Sequence, residues 1–127
     1  PRQVYFNLVP TVGRSVLAQR LANTTTYTGI LNYGALGTNN TTPANTDTTL
    51  GTETYRKVLA SLTYSSNIAY ITQFYTATEV SGTFSETGVF IDGTASANTG
   101  QLFSRALVSV TKSSAQTLTI DHTFTIT

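Results

Sequence analysis

The chain contains no cysteine, so neither a disulfide framework nor a thiolate metal site is open to it. Charge is scarce as well. Asp, Glu, Lys and Arg make up 10% of the residues, against about 25% in an average protein. The net charge is +1. The basic residues Arg2, Arg14, Arg20, Arg56, Lys57, Arg105 and Lys112 are scattered and form no stripe. This balance excludes the electrostatic footprint that a nucleic-acid backbone or an anionic membrane requires. No stretch approaches the roughly 20 apolar residues of a membrane span. Pro1 to Leu8 lacks the sustained apolar run of a signal peptide. A chain opening on Pro1 reads as a cytosolically made product that has lost its initiator Met. A protein so close to neutral has little self-repulsion to hold its copies apart, which suits a subunit built to associate.

What fills the gap is uncharged polarity, Thr above all, with Ser, Asn and Gly behind it. Thr is β-branched and suits a pleated surface with one face in water. The 127 residues fit one domain, 1–127. A chain of this length buries about 70% of its unfolded surface and needs no staples.

Hydrophobic periodicity supplies the order of elements. Arg2 to Leu8 alternates Val4, Phe6 and Leu8, and reads as a short strand or extended arm. Pro10-Thr11 opens a helix, with Thr11 as cap and Val16, Leu17 and Leu21 at helical spacing. From Tyr27 to Tyr33 the period is two, a strand leading into Gly34-Ala35-Leu36-Gly37. Thr38 to Thr49 is a long polar loop. Tyr55 to Tyr64 reads as one strand, with Val58, Ala60, Leu62 and Tyr64 on a shared apolar face. Ser65-Ser66-Asn67 turns it into Ile68 to Tyr75, which is apolar on both faces and therefore central or in contact with a neighbour. Phe84 to Ile91 is a further strand, followed by a flexible loop over Asp92 to Gly100. Leu102 to Val110 is the next, with Leu102, Ala106, Val108 and Val110 inward and Phe103, Arg105 and Leu107 opposite. After a turn at Lys112 to Gln116, the strand Thr117 to Thr127 sets Leu118, Ile120, His122, Phe124 and Ile126 against Thr119, Asp121, Thr123, Thr125 and Thr127. Such a terminal strand is tied down, or completed by a partner. The expected fold is mainly β: an antiparallel β-sandwich or partly open barrel with one short N-terminal α-helix over one end or sheet face.

A search for chemistry assigns no catalytic, cofactor-binding or metal-ligating residue. His122 is the sole histidine. It sits mid-strand with Asp121 on the opposite face, so the two cannot form a triad. The expectation is a half-buried His with one hydrogen bond. Glu53 and Glu86 lie on or beside strands, and a hydrolase would need such a carboxylate pair across a cleft. In a chain so poor in charge, the simpler reading is ion pairing, with Arg56 and Arg105 as partners, or capping of backbone N–H groups. Gly34-Ala35-Leu36-Gly37 lacks the Gly-Lys-Ser/Thr of a phosphate loop. The thirteen Tyr and Phe side chains could stack on sugars, but without a basic groove they do not make a nucleic-acid platform. Asn23-Thr24-Thr25, Asn39-Asn40-Thr41 and Asn40-Thr41-Thr42 fit the glycosylation pattern and are most simply a product of Thr/Asn-rich composition.

Three segments, taken in order, resemble a known family. Leu31 to Thr38, then Pro43, then Thr48 to Arg56 is similar to the "ALG-T…P…T-x-L-x-x-E-x-x-R" run of tail-collar-fibre-like and related virion proteins of tailed phages. Thr83 to Phe90 resembles the family's "G-x-I-x-E-x-G-L-F" segment. Leu102 to Leu107, the Lys112 turn and Leu118 to Asp121 resemble its closing hairpin. Thr11 to Ala18 is similar to its opening "T-x-x-G-x-x-x-L-A" helix. The resemblance implies a non-enzymatic structural part of a virus particle, located in the virion: a tail-fibre, collar or adaptor piece, or a decoration subunit. Its partners would be copies of itself and other tail, neck or capsid proteins, with no nucleic acid, membrane or cofactor. The alternative is a carbohydrate-binding module for a host-surface glycan, using the Thr38–Thr49 and Thr94–Gly100 loops. The candidate assembly residues are Arg2, Val4 and Phe6 on the arm and Thr119, Thr123 and Thr125 on the last strand, because unpaired edges and Thr faces invite a neighbour.

Overall fold

A computed structural model describes residues 2–127, so Pro1 and the processing inferred from it lie outside the described residues. The chain folds into two antiparallel sheets and one helix, as the composition and periodicity lead one to expect. In chain order the elements are β1 (Asn7–Leu8), α1 (Thr11–Leu21), β2 (Leu31–Gly37), β3 (Glu53–Val58), β4 (Ser61–Ser65), β5 (Ile68–Tyr75), β6 (Gly82–Ile91), β7 (Gln101–Lys112) and β8 (Leu118–Thr125). The large sheet runs β1-β7-β6-β2-β3 and the small sheet β4-β5-β8. Between them lie two apolar clusters. One joins Val89, Ile91 and Phe103 to Ile71 and Phe124. The other joins Leu36 and Phe84 to Tyr75. A third cluster, Ala35, Leu50, Phe90 and Leu102, lies on the far side of the large sheet. The large sheet is therefore buried on both faces.

Several expectations change in the structure. Only Asn7 and Leu8 of the expected first strand enter a ladder, opposite Ala106 and Arg105. Thr11 does not cap the helix. Pro10 takes the cap position without a side-chain bond, and the orphan Thr11 N–H donates to the Asn45 carbonyl at 3.0 Å instead. Leu21 is 90% exposed. The helix docks through its small residues: a Cβ on Gly13 would lie 2.9 Å from the Leu102 oxygen and the Phe103 Cα. Val16 reaches the inter-sheet core and Val12 the outer cluster.

The expected Tyr27–Tyr33 strand begins only at Leu31 and continues through Gly37. Gly34 and Gly37 are central strand positions where neighbouring groups occupy the space of the missing Cβ atoms. Gln73 fills it at Gly34, and Glu86 with the Thr52 carbonyl at Gly37.

The expected Tyr55–Tyr64 strand is two strands in different sheets. The chain crosses between them at Leu59 and Ala60, whose N–H groups donate to Asn32 in one direction and Thr72 in the other. The crossing reverses the expected faces. Leu59 packs on the core, whereas Val58, Leu62 and Tyr64 are 58%, 46% and 81% exposed. Every residue of β4 is exposed.

The hairpin from β4 to β5 is as expected, with Ser65 opposite Ile68 and Ser66 in the left-handed region at φ 55°. β5 is central to its sheet. Two register shifts against β6 alter the faces of β7. Leu102 joins the outer cluster and Phe103 the inner one, the reverse of the expected assignment. β8 keeps its pattern except at Ile126, which lies past its end, is exposed, and bonds Asn67 through its backbone.

Candidate assembly surface

The outer face of the large sheet is roofed. Two loops lie over it, and each is held by a buried ion pair. Glu86 on β6 is fully buried and accepts four hydrogen bonds. They come from Arg105 Nε at 2.8 Å, Gly51 N and Thr52 N at 2.7 Å, and Asn39 N at 3.0 Å. Burial alone would raise the pKa of this carboxyl. The backbone N–H groups of Thr52, Gly51 and Asn39, together with Arg105, outweigh it and hold the group below the usual carboxylate range. Arg105 also reaches Asp47 at 3.3 Å. Glu86 and Arg105 thus clamp the 38–52 loop to the sheet.

The second clamp is built alike. Arg56 Nε and Nη2 meet Glu53 at 2.7 and 2.8 Å, a two-pronged pair. Arg56 Nη1 donates to the Thr94 and Thr99 carbonyls at 3.0 and 3.1 Å. Its guanidinium lies 4.5 Å from the Phe90 ring centre. The 92–100 loop is therefore pinned rather than flexible. The structure brings Glu53 to Arg56 and Glu86 to Arg105, and each carboxylate is occupied by its arginine and by backbone N–H groups. The 38–52 loop leaves a hollow of about 350 Å³ beside Arg105, lined by Asn39, Asp47 and Thr residues, with no aromatic side chain on its wall. The exposed Tyr64 and Tyr70 lie on the other sheet.

The outer face of the small sheet has no roof. Register sets its rows. Ser61, Thr72 and Asp121 form one, Thr63, Tyr70 and Thr123 the next, and Ser65, Ile68 and Thr125 the third, with Phe74 beside Thr119. Asp121 carries the only charge in these rows, and it accepts from Thr72 Oγ1 at 2.8 Å. Thr119, Thr123 and Thr125 are all exposed. The predicted assembly residues of the last strand therefore share one exposed face of the small sheet.

The inner side of the same sheet holds a polar network that sequence reasoning missed. Gln73 Nε2 donates to Thr87 Oγ1 at 2.9 Å and to His122 Nε2 at 2.7 Å. Tyr75 donates to Gln73 Oε1 at 2.5 Å, and Thr87 donates to the Ala35 carbonyl at 2.8 Å. With Nε2 accepting, His122 carries its proton on Nδ1. Burial lowers its pKa from 6.5 to about 4, and Asp121 offsets only part of that. His122 has the single hydrogen-bond partner expected of it, but at 5% exposed it is buried rather than half-buried, because it faces the inter-sheet side. The available signal was that Gln73 and His122 are the polar residues on otherwise apolar faces of two strands.

The sheets part company along one side. β7 beyond Leu107 has no ladder partner on its outer edge, and β8 is the edge of its own sheet. Between them runs a groove of about 700 Å³, lined by Val108, Val110, Leu118 and Ile120, with Asp121 at its rim and His122 reaching its wall. The arm Arg2–Phe6 lies along it, outside any ladder. Tyr5 donates to the Ser109 carbonyl at 3.2 Å, yet Val4 and Phe6 are 77% and 94% exposed. Arg2 is exposed too. No protein-family model, curated protein or solved structure matches the chain.

Proposed function

We propose that this protein is a non-enzymatic structural subunit of a virus particle, a tail-fibre, collar, adaptor or decoration piece that assembles with its own copies and docks on other particle proteins. The observation that carries the reading is the contrast in cover. The molecule spends its two most deeply buried ion pairs and two loops on one sheet face. It leaves a Thr-rich face, an open sheet edge and an arm bearing Val4 and Phe6 without any. Apolar side chains as exposed as Phe6 and Tyr64 gain most when a neighbour covers them. Thr rows gain hydrogen bonds across an interface without the desolvation cost of charge.

The two roof carboxylates support the same reading. Glu53 and Glu86, the pair a hydrolase would use, are each engaged in holding a loop down. Glycan binding has less support, since the polar hollow and the exposed tyrosines lie on different sheets. Sedimentation over a range of concentrations, with a search for the chain in purified particles, tests the proposal. The expected result is concentration-dependent association and a stoichiometric component of the particle. A lone monomer that no particle contains ends it.

A further inference from the structure

We infer that the free edge of β4 pairs with β4 of a second copy, antiparallel about a two-fold axis at Thr63, so that two three-stranded sheets join into one of six strands. This pairing rests on the assembly reading and names an edge that performs it. β4 ends its sheet, with β5 as its one neighbour, and all of its residues are exposed. Ser65 and Ile68 flank a two-residue turn, so they exchange both backbone hydrogen bonds. That pattern alternates along an antiparallel strand. Ser61, Thr63 and Ser65 therefore turn their N–H and C=O groups to β5. Leu62 and Tyr64 turn theirs outward, where no backbone partner meets them among the described residues. A second copy fits this edge in one register. With Thr63 opposite Thr63, each Leu62 stands opposite the other copy's Tyr64, and every outward group of both residues finds its partner.

The side chains agree with that register. Leu62 and Tyr64 stand opposite Ile71 and Ala69 of β5, which lie in or against the inter-sheet core. They are on the core side, yet both are exposed, so β4 overhangs its cover. Across the two-fold axis the overhang becomes two Leu62–Tyr64 cross-strand pairs. The sequence Ser-Leu-Thr-Tyr-Ser holds no charge and no proline, the residues that keep sheet edges apart, so a second copy meets no repulsion. The contact buries on the order of 800 Å² in total, below the roughly 1,200 Å² of a standard stable interface. It is therefore a weak, reversible dimer contact that a larger assembly multiplies.

The chain has no native cysteine, so single cysteines on β4 report the register. Ser61, Thr63 and Ser65 are exposed on one face, and circular dichroism verifies that each variant keeps the fold. In the proposed pair the two copies of position 63 have Cα atoms about 4.5 Å apart, within the span of a disulfide. Two copies of position 61, or of position 65, lie about 13 Å apart, which no disulfide bridges. Under mild oxidation Thr63→Cys should cross-link at least tenfold faster than Ser61→Cys or Ser65→Cys alone. A mixture of the last two should join 61 to 65 at a rate close to that of Thr63→Cys. In the native chain, the Leu62 and Tyr64 amides should gain protection from hydrogen exchange as concentration rises. Equal rates for the three single cysteines, or amides indifferent to concentration, overturn β4 pairing. If sedimentation still shows association in that case, assembly through another surface stands. A native chain that never associates removes both.

Discussion

The two sheets of this molecule treat their outer faces in opposite ways. On the large sheet, charge is drawn inward. Glu86 with Arg105 and Glu53 with Arg56 sit beneath the 38–52 and 92–100 loops, with side chains at most 4% exposed. On the small sheet, the outer rows carry Thr, Ser and Tyr, and their only charge is Asp121. A protein with few charges has placed four of them where they hold its own loops, and almost none where a neighbour would have to desolvate them. One face is thus committed to the fold and the other is available for contact. Changes on the roofed face should appear in stability, and changes on the bare face in association.

The largest effect is expected at the first clamp. Glu86→Ala strands Arg105 and three backbone N–H groups, and should cost about 3–5 kcal/mol, read by urea unfolding. A loss below about 1 kcal/mol would mean that the clamp is ornamental and the contrast false. Acid should act next, and from the other side. His122 has a folded pKa below its unfolded one, so the unfolded chain binds the proton first. The stability that His122 contributes is complete above about pH 6.5 and is lost as the pH falls towards 4, a change of about 3 kcal/mol. Glu86 is also depressed but starts from the carboxylate range, so its contribution fails only at still lower pH. The expected order on acidification is the Gln73–His122 network first and the roof second. Thermal unfolding from pH 7 to 4, with His122→Gln flattening the upper part of the curve, checks it.

A smaller effect is expected at Gly37→Ala. The new Cβ would lie 2.4 Å from the Thr52 carbonyl oxygen and 2.6 Å from Glu86 Oε2, so the roof must shift, at about 1–3 kcal/mol. Self-association of this variant should be unchanged. The smallest change in stability is expected on the bare face. Thr119→Lys with Thr123→Lys should stay within about 0.5 kcal/mol of the native chain, yet reduce association measured by light scattering. If it destabilises the monomer instead, the two faces are not divided as described.

How much of this was legible in the sequence depended on how local the cause was. The β4–β5 hairpin, the helix and β8 are written in neighbouring residues: a Ser-Asn turn, helical spacing and strict alternation. The break at Leu59–Ala60 was not legible. Neither residue is a turn former, and the alternation of Val58, Leu62 and Tyr64 runs straight through it. Only the position of the second sheet decides that those side chains face water. The role of Gly34 and Gly37 was equally out of reach. They make room for Gln73 and Glu86, which lie far off in sequence. The faces of β7 followed register shifts against β6, which no single strand encodes. At the candidate site, scarcity of charge pointed to Glu53, Arg56, Glu86 and Arg105, because rare charges on strands need partners. Which carboxylate meets which arginine, the His122 network and the groove all depend on pairing across the sheets.

The crossing at Leu59–Ala60 has a mechanical consequence. Along that side the sheets are stitched by continuous chain and by hydrogen bonds to both, like the spine of a book. Along the β7–β8 side no ladder joins them, and the chain crosses between the sheets only at one end, through the turn that follows Lys112. Something wedged between those two covers works against dispersion contacts, which yield gradually, rather than against a backbone ladder, which breaks all at once. That side can thus yield more readily than the spine, which holds the two sheets together.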